Sequence, residues 1–313
     1  MEATAPPPSG IGFEQATVRF FGEEILKSID VHVHPYTEEV LAVTPDWFWG
    51  HARKTFNFGG KPITVEDMVR TMDQDEVEKS VLLAFDCETT HGWKVSNEIV
   101  AGLVAQRPDR FIGFASVDPN KHQLAVTELE HAVLDLGMRG LKLHPPTQHF
   151  YPNDRAHYPL WAKAEELGIP VLVHTGHNQS GGRMQYGDPT LLDEVALDFP
   201  DLKIILAHFG FPWVNQAISV VWIRRNCYLE LSGWSPKYIP EMVWSYARSI
   251  FPDRVLFGTD APVMTAARWL KDFQEVPLPE EVKHKILYQN AHQLLFGAGA
   301  PEAARREGSA GVG

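Results

Sequence analysis

The sequence predicts a single (β/α)8 barrel, and three observations carry that expectation. Eight short apolar runs recur along the 313 residues, helical patterns fill the gaps between them, and one punctuation opens several runs. The runs are 29–34 "IDVHVH", 80–85 "SVLLAF", 111–117 "FIGFASV", 140–144 "GLKLH", 170–175 "PVLVHT", 203–208 "KIILAH", 227–232 "CYLELS" and 254–260 "RVLFGTD". They are nearly continuous in apolar character rather than cleanly alternating. Strands buried on both faces look like this, and such strands belong to parallel sheets covered by helices.

The helices are expected near 64–74, 94–107, 120–136, 156–168, 188–199, 212–225, 236–249 and 280–296. The first is the clearest: Thr64 and Asp67 form a capping box with Asp in place of Glu, and Val65, Met68, Val69 and Met72 recur at helical spacing. "RPDRF", "FPDLK" and "FPDRV" stop a helix before the next strand, because Pro cannot continue one. A doubly wound open sheet would give the same local signals, but eight strand–helix units without a second composition regime point to one barrel. The expected organisation is a flexible segment 1–24, the barrel 25–297 and a flexible Gly- and Ala-rich tail 298–313.

Composition narrows the function classes. With 44% hydrophobic and 22% charged residues and no apolar run near the ~18 residues that cross a bilayer, no membrane segment is expected. The formal charge of −12 disfavours phosphate backbones, so nucleic acid is not an expected partner and a small molecule is. Cys87 and Cys227 lack metal-site spacing and "MEATAPPPSGIG" lacks the features of a secretory signal, which suits a cytoplasmic protein. A homo-oligomer is left open.

Polar residues appear late in the runs, where a barrel presents its active site. His32 and His34 close run one, Lys142 and His144 run four, His174 run five, His208 run six and Asp260 run eight. Side chains alternate along a strand, so His32 and His34 share a face. A lone histidine at a strand end is usually a hydrogen-bonded core residue, whereas four strand ends carrying histidines and a fifth carrying Asp260 converge on one small volume. Imidazole and carboxylate donors suit divalent Zn, Mn or Fe, with zinc the leading expectation.

At these positions the chain resembles the amidohydrolase superfamily, in particular its amidohydrolase-related branch, over about residues 28–297. "VLVHTG", "IILAHFG", "VLFGTDAP" and the closing "ILYQNAHQLLFG" are similar to the family's stretches. The resemblance implies one or two divalent ions, held by His32, His34 and His174 with Asp260 as fourth ligand or neighbouring base, and His208 beside them as a second catalytic residue. It further implies activation of a metal-bound water, with Asp260 shuttling the proton. A barrel that keeps these ligands for a purely structural or storage ion is the noncatalytic alternative.

The branch holds hydrolases and also nonoxidative decarboxylases of aromatic or muconate acids. Lys142 favours hydrolysis of a C–N or C–O bond in a small cyclic, aromatic or acyl substrate, because binuclear hydrolases of the superfamily carboxylate a lysine at that place to bridge two metals. Lys142 and His144 are therefore second-metal or structural candidates, and a plain salt bridge from Lys142 to Glu230 is the competing expectation. The segment 35–62 carries Tyr36, Trp47, Phe48, Trp49, His51, Phe56 and Phe58, as either a lid over an aromatic pocket or a cluster packed on the rim. Trp47, Trp213 and Trp234 are candidate substrate contacts. Arg53, Arg183 and Arg268 are candidate partners for an anionic substrate, or else surface arginines.

Overall fold

The computed structural model describes residues 27–48, 50, 61–178 and 182–297. The segments expected to be flexible, 1–24 and 298–313, lie outside these residues, as do Trp49, His51, Arg53, Phe56 and Phe58 of the first loop.

Eight parallel strands form the barrel: β1 (Ser28–Val33), β2 (Val77–Leu83), β5 (Phe111–Ser116), β6 (Leu141–Leu143), β7 (Val171–Val173), β8 (Ile204–Leu206), β9 (Cys227–Glu230) and β10 (Val255–Leu256). Each coincides with an expected apolar run, but ends earlier, so that most of the polar residues at the run ends stand just beyond the ladder. Between β2 and β5 the chain makes an antiparallel hairpin, β3 (Phe85–Cys87) with β4 (Trp93–Val95), where the sequence suggested none. A helix Ala266–Gln274 likewise lies outside the helical stretches expected from the sequence. The closing helical segment runs Glu280–Phe296 through a π-helical stretch, Lys285–Gln289.

The sheet closes between its first and last strands. Val31 N–H donates to Phe257 O (3.1 Å), Asp260 N–H to His32 O (2.9 Å) and His34 N–H to Ala261 O (2.9 Å). The buried Asp30 carboxylate reinforces the seam, accepting from Thr259 N (3.0 Å), Thr259 Oγ1 (2.7 Å) and His32 N (3.1 Å). The doubly wound alternative is therefore excluded, and the fold is a (β/α)8 TIM barrel.

Parity divides the core as expected of two-sided burial. Ile29, Val31, Val81, Leu83, Ile112, Phe114, Leu172, Ile205 and Leu256 form the barrel interior, plugged at the end away from the histidines by Ala291, Leu294 and Leu295. Their neighbours on the strands, such as Leu141, Leu143, Val171, Val173, Ile204 and Leu206, pack outward under the helices. Fully burying one such side chain contributes about 1.5–3 kcal/mol, so the interior layer alone fixes a rigid frame for what stands above it.

Candidate metal centre

Above the apolar layer the interior turns polar. His32, Lys142 and Glu230 are wholly buried, and His174 and His208 nearly so. The imidazoles form a chain of rings: His34 to His32 (centroids 5.3 Å), His32 to His208 (5.0 Å), His208 to His174 (4.7 Å) and His174 to His144 (3.8 Å, stacked). The shared face of His32 and His34 is borne out, since both Nε2 atoms approach Asp260 Oδ1, at 3.4 and 3.5 Å.

Backbone geometry sets two of these residues. His208 (φ 59°) and Asp260 (φ 62°) both adopt the left-handed region, which costs a non-glycine residue on the order of 1 kcal/mol or more. His208 N–H points to Glu230 Oε2 (3.4 Å), and Asp260 is held by its bond to His32 O. Gly258 makes room for the group, because a Cβ there would overlap the Glu230 carboxylate.

Hydrogen-bond partners fix the tautomers. His174 Nε2 donates to His177 O (3.0 Å), leaving Nδ1 as a lone pair, and His208 Nδ1 donates to Ser232 O (3.2 Å), leaving Nε2 as one. Those two lone pairs face each other at 3.1 Å. His32 Nδ1 faces Glu230 Oε2 (3.3 Å) and Ser232 Oγ (3.1 Å), which turns its Nε2 lone pair toward Asp260. Ser232 Oγ donates to Glu230 Oε2 (2.8 Å) and also lies 3.1 Å from His208 Nδ1.

Burial, followed by the charge of Lys142, holds His34 and His208 down to about 3, and burial holds His32, His144 and His174 well below the ordinary imidazole range. The five rings are therefore neutral donors near neutral pH. Burial pushes Asp260 up to about 7 and Glu230 up to about 8. Neutral imidazole lone pairs converging with a carboxylate are the donor set of a first-row divalent ion, and ring nitrogens facing each other without a proton between them are what a cation would relieve. His32, His34 and Asp260 have ligand atoms within 4.8 Å of one another, as do His32, His208 and Glu230. His174 stands one ring further along, against His208.

Lys142 corrects one expectation. It forms no salt bridge with Glu230; its Nζ lies 3.2 Å from His32 Nε2, and burial lowers it to about 8. Glu230 is occupied instead by Ser232 N (2.7 Å), Ser232 Oγ and His32. The sequence signal for Ser232 was only its place in "YLELSG", two residues after Glu230 on the same face. His144 anchors the neighbouring loop, its Nδ1 accepting from Thr147 N (3.3 Å) and its N–H donating to Gln148 Oε1 (2.8 Å).

Two aromatic walls flank the mouth. On one side Phe85, Trp93 and Phe48 pack together with centroids 5.0–5.7 Å apart, and Phe85 lies 6.3 Å from His34. Within the first loop Phe48 thus packs on the rim, and half-exposed Trp47 reaches on to His91 at 5.3 Å. On the other side Trp234 lies against Phe211 (4.6 Å) and His177 (5.9 Å). Gly233, which precedes Trp234, sits over the site: its Cβ would stand 3.1 Å from His208 Nδ1 and 3.3 Å from Asp260 Oδ2. Trp213 begins the helix Val214–Ile223 without a ring contact to that wall among the described residues. Arg183 and Arg268 are exposed, and Arg53 is outside the described residues.

Similarity to known proteins agrees with this architecture. The amidohydrolase family model matches residues 29–297. Gamma-resorcylate decarboxylase of Polaromonas sp. JS666 is 26% identical over 85% of this chain and 98% of its own. An uncharacterised TIM-barrel protein from Bordetella bronchiseptica superposes with a TM-score of 0.74 at 29% identity, covering 86% of this chain and 98% of that one. A dihydroxybenzoic acid decarboxylase from Polaromonas sp. JS666, solved with manganese and the inhibitor 2-nitroresorcinol, gives 0.63 at 23% identity, covering 86% and 96%. With its barrel, its strand-end imidazoles and a match over nearly all described residues, the chain belongs to the amidohydrolase family of metal-dependent enzymes.

Proposed function

We propose that the protein is a metal-dependent nonoxidative decarboxylase of an aromatic or similarly conjugated carboxylic acid. One observation carries the reading: a gamma-resorcylate decarboxylase aligns over 98% of its own length. The hydrolase expectation rested on Lys142, whose Nζ is hydrogen-bonded to a ligand nitrogen and enclosed, a weaker ground than that alignment. Aromatic walls on both sides of the mouth suit a planar substrate.

In this reading His32, His34, His174 and Asp260 hold one divalent ion, with manganese favoured by the relative that contains it and zinc or iron(II) compatible with the donors. Bound there, the ion supplies a Lewis acid for the substrate carboxylate or an adjacent oxygen. Asp260, whose Oδ1 lies 3.4 and 3.5 Å from the Nε2 atoms of His32 and His34, is placed to deliver a proton at the site. The C–C bond to the carboxylate breaks, its electron pair remains on the ring carbon, and that carbon takes the proton from Asp260; carbon dioxide leaves and Asp260 regains a proton from solvent. His208, fixed by Ser232, orients an oxygen of the substrate. His144 and Lys142 serve structural roles, and Trp47, Trp234 and Arg183 are proposed rim contacts.

The deciding experiment incubates the metal-loaded enzyme with dihydroxybenzoic acids, lactones and amides in 18O-labelled water. Carbon dioxide from the acids, with a solvent proton and no label in the ring product, is expected. Label incorporated from a lactone or amide, with the acids inert, overturns the proposal. Asp260→Asn should fold and lose turnover.

A further inference from the structure

His177 is the residue at the mouth that neither the sequence pattern nor the ligand chain accounts for. Its backbone is fixed on both sides: the N–H donates to Phe211 O (2.8 Å), and the carbonyl accepts from the metal-site imidazole of His174. The residue before it must be glycine. Gly176 has φ 91°, its N–H donates to Gly187 O (2.7 Å), and a Cβ would overlap the carbonyl of Phe211. The loops after β7 and β8 therefore lock this short stretch together.

The side chain is treated differently from its backbone. The His177 ring lies 5.7 Å from Phe211 and 5.9 Å from Trp234, in edge-on arrangements, and is only partly buried. Neither ring nitrogen has a hydrogen-bond partner among the described residues, and the partly open ring leaves both within reach of a ligand. An apolar wall holding one accessible polar group beside a reactive centre is how binding pockets orient a ligand.

We propose that the His177 imidazole is a specificity-determining residue, hydrogen-bonding a carboxylate or hydroxyl oxygen of a planar aromatic substrate laid against Trp234. The assignment rests on the decarboxylase reading for its substrate class, and on geometry for its place. Because the carbonyl that orients His174 belongs to the backbone, replacing the side chain should leave the metal site intact. That separates a substrate contact from a structural role.

The test uses the metal-loaded full chain and 2-nitroresorcinol as a probe, whose nitro group should quench the fluorescence of Trp234. His177→Phe keeps the wall and removes the hydrogen bond, and should weaken probe binding about tenfold. His177→Gln restores a donor and should recover most of the loss. Metal content should equal wild type in both, and with a turned-over acid His177→Phe should raise KM with a smaller change in kcat. Equal probe affinity in wild type and His177→Phe, no probe binding by wild type, or metal lost from His177→Phe would each overturn the assignment. Weakened probe binding in His177→Phe without carbon dioxide release from any acid by wild type would sink the reaction and leave His177 standing. Turnover with an unchanged KM would do the reverse.

Discussion

Lys142 Nζ lies 3.2 Å from His32 Nε2, deep in the barrel, with no carboxylate within ion-pair range among the described residues. The lysine thus stands beside the nitrogen that His32 would offer to a metal, and after burial its charge is the next largest cause that depresses the His32 and His34 imidazoles. A like charge beside a cation site opposes binding. Lys142→Met should therefore retain one metal equivalent by elemental analysis and bind it severalfold more tightly in a chelator competition. If wild type holds two equivalents and the variant one, Lys142 is a bridging ligand and the single-ion assignment fails.

Ser232 joins three groups, with its Oγ 2.8 Å from Glu230 Oε2 and 3.1 Å from Nδ1 of both His32 and His208. Such contacts orient ligand rings, and their loss typically costs 10–100-fold in metal affinity. Ser232→Ala should show a loss of that order by metal titration, with an unchanged thermal midpoint for the metal-free protein. Wild-type affinity in the variant would mean that Glu230 and the Ser232 backbone carbonyl alone fix the two rings.

How far the sequence disclosed this site depends on what parity can say. Alternation places His32 and His34 on one face and Lys142 inside with His144, Glu230 shows only as a charge interrupting a buried run, and the barrel topology brings them together. Parity does not choose between neighbours, so the partner of Lys142 was misread: Ser232, two residues after Glu230, had already filled that carboxylate. The hairpin of β3 and β4 has only three residues in each strand, too few for a period to register. His177 gave no signal because its place depends on Gly176 and on the carbonyl of Phe211, a contact between loops that no local pattern encodes.

The buried titratable groups predict a pH dependence for the metal-free protein. Five imidazoles, His32, His34, His144, His174 and His208, have folded values below the ordinary 6.5, so the unfolded chain binds their protons first as pH falls. Each contributes stability that is present above 6.5 and lost toward its folded value. Three carboxyls run the other way: burial raises Asp30 to about 6, Asp260 to about 7 and Glu230 to about 8, so their contribution grows as pH falls from the folded to the unfolded values. Between pH 6.5 and 5 the five outweigh the three, and stability falls with pH. Urea midpoints of the metal-free protein should be lower at pH 5 than at pH 7. An equal or higher midpoint at pH 5 would contradict the neutral-imidazole assignment.

The hairpin that carries Phe85 and Trp93 to the rim is held from beneath by Lys121. Its Nζ lies 2.8 Å from Asp86 Oδ2, 2.9 Å from Glu88 Oε2 and 3.4 Å from Glu128 Oε1, and the Lys121 and Asp86 side chains are 9% and 5% exposed. Gln148 Nε2 ties the same strand down by donating to Asp86 O (2.7 Å) and Val117 O (2.9 Å). Removing one partner of a buried pair leaves the other charge uncompensated, at about 3–5 kcal/mol. Lys121→Met should lose stability of that order in urea denaturation, whereas Lys121→Met combined with Asp86→Asn should recover part of it, because the stranded carboxylate is gone. A double variant no more stable than the single one would show that the loss comes from packing of the lysine stem rather than from the abandoned charge.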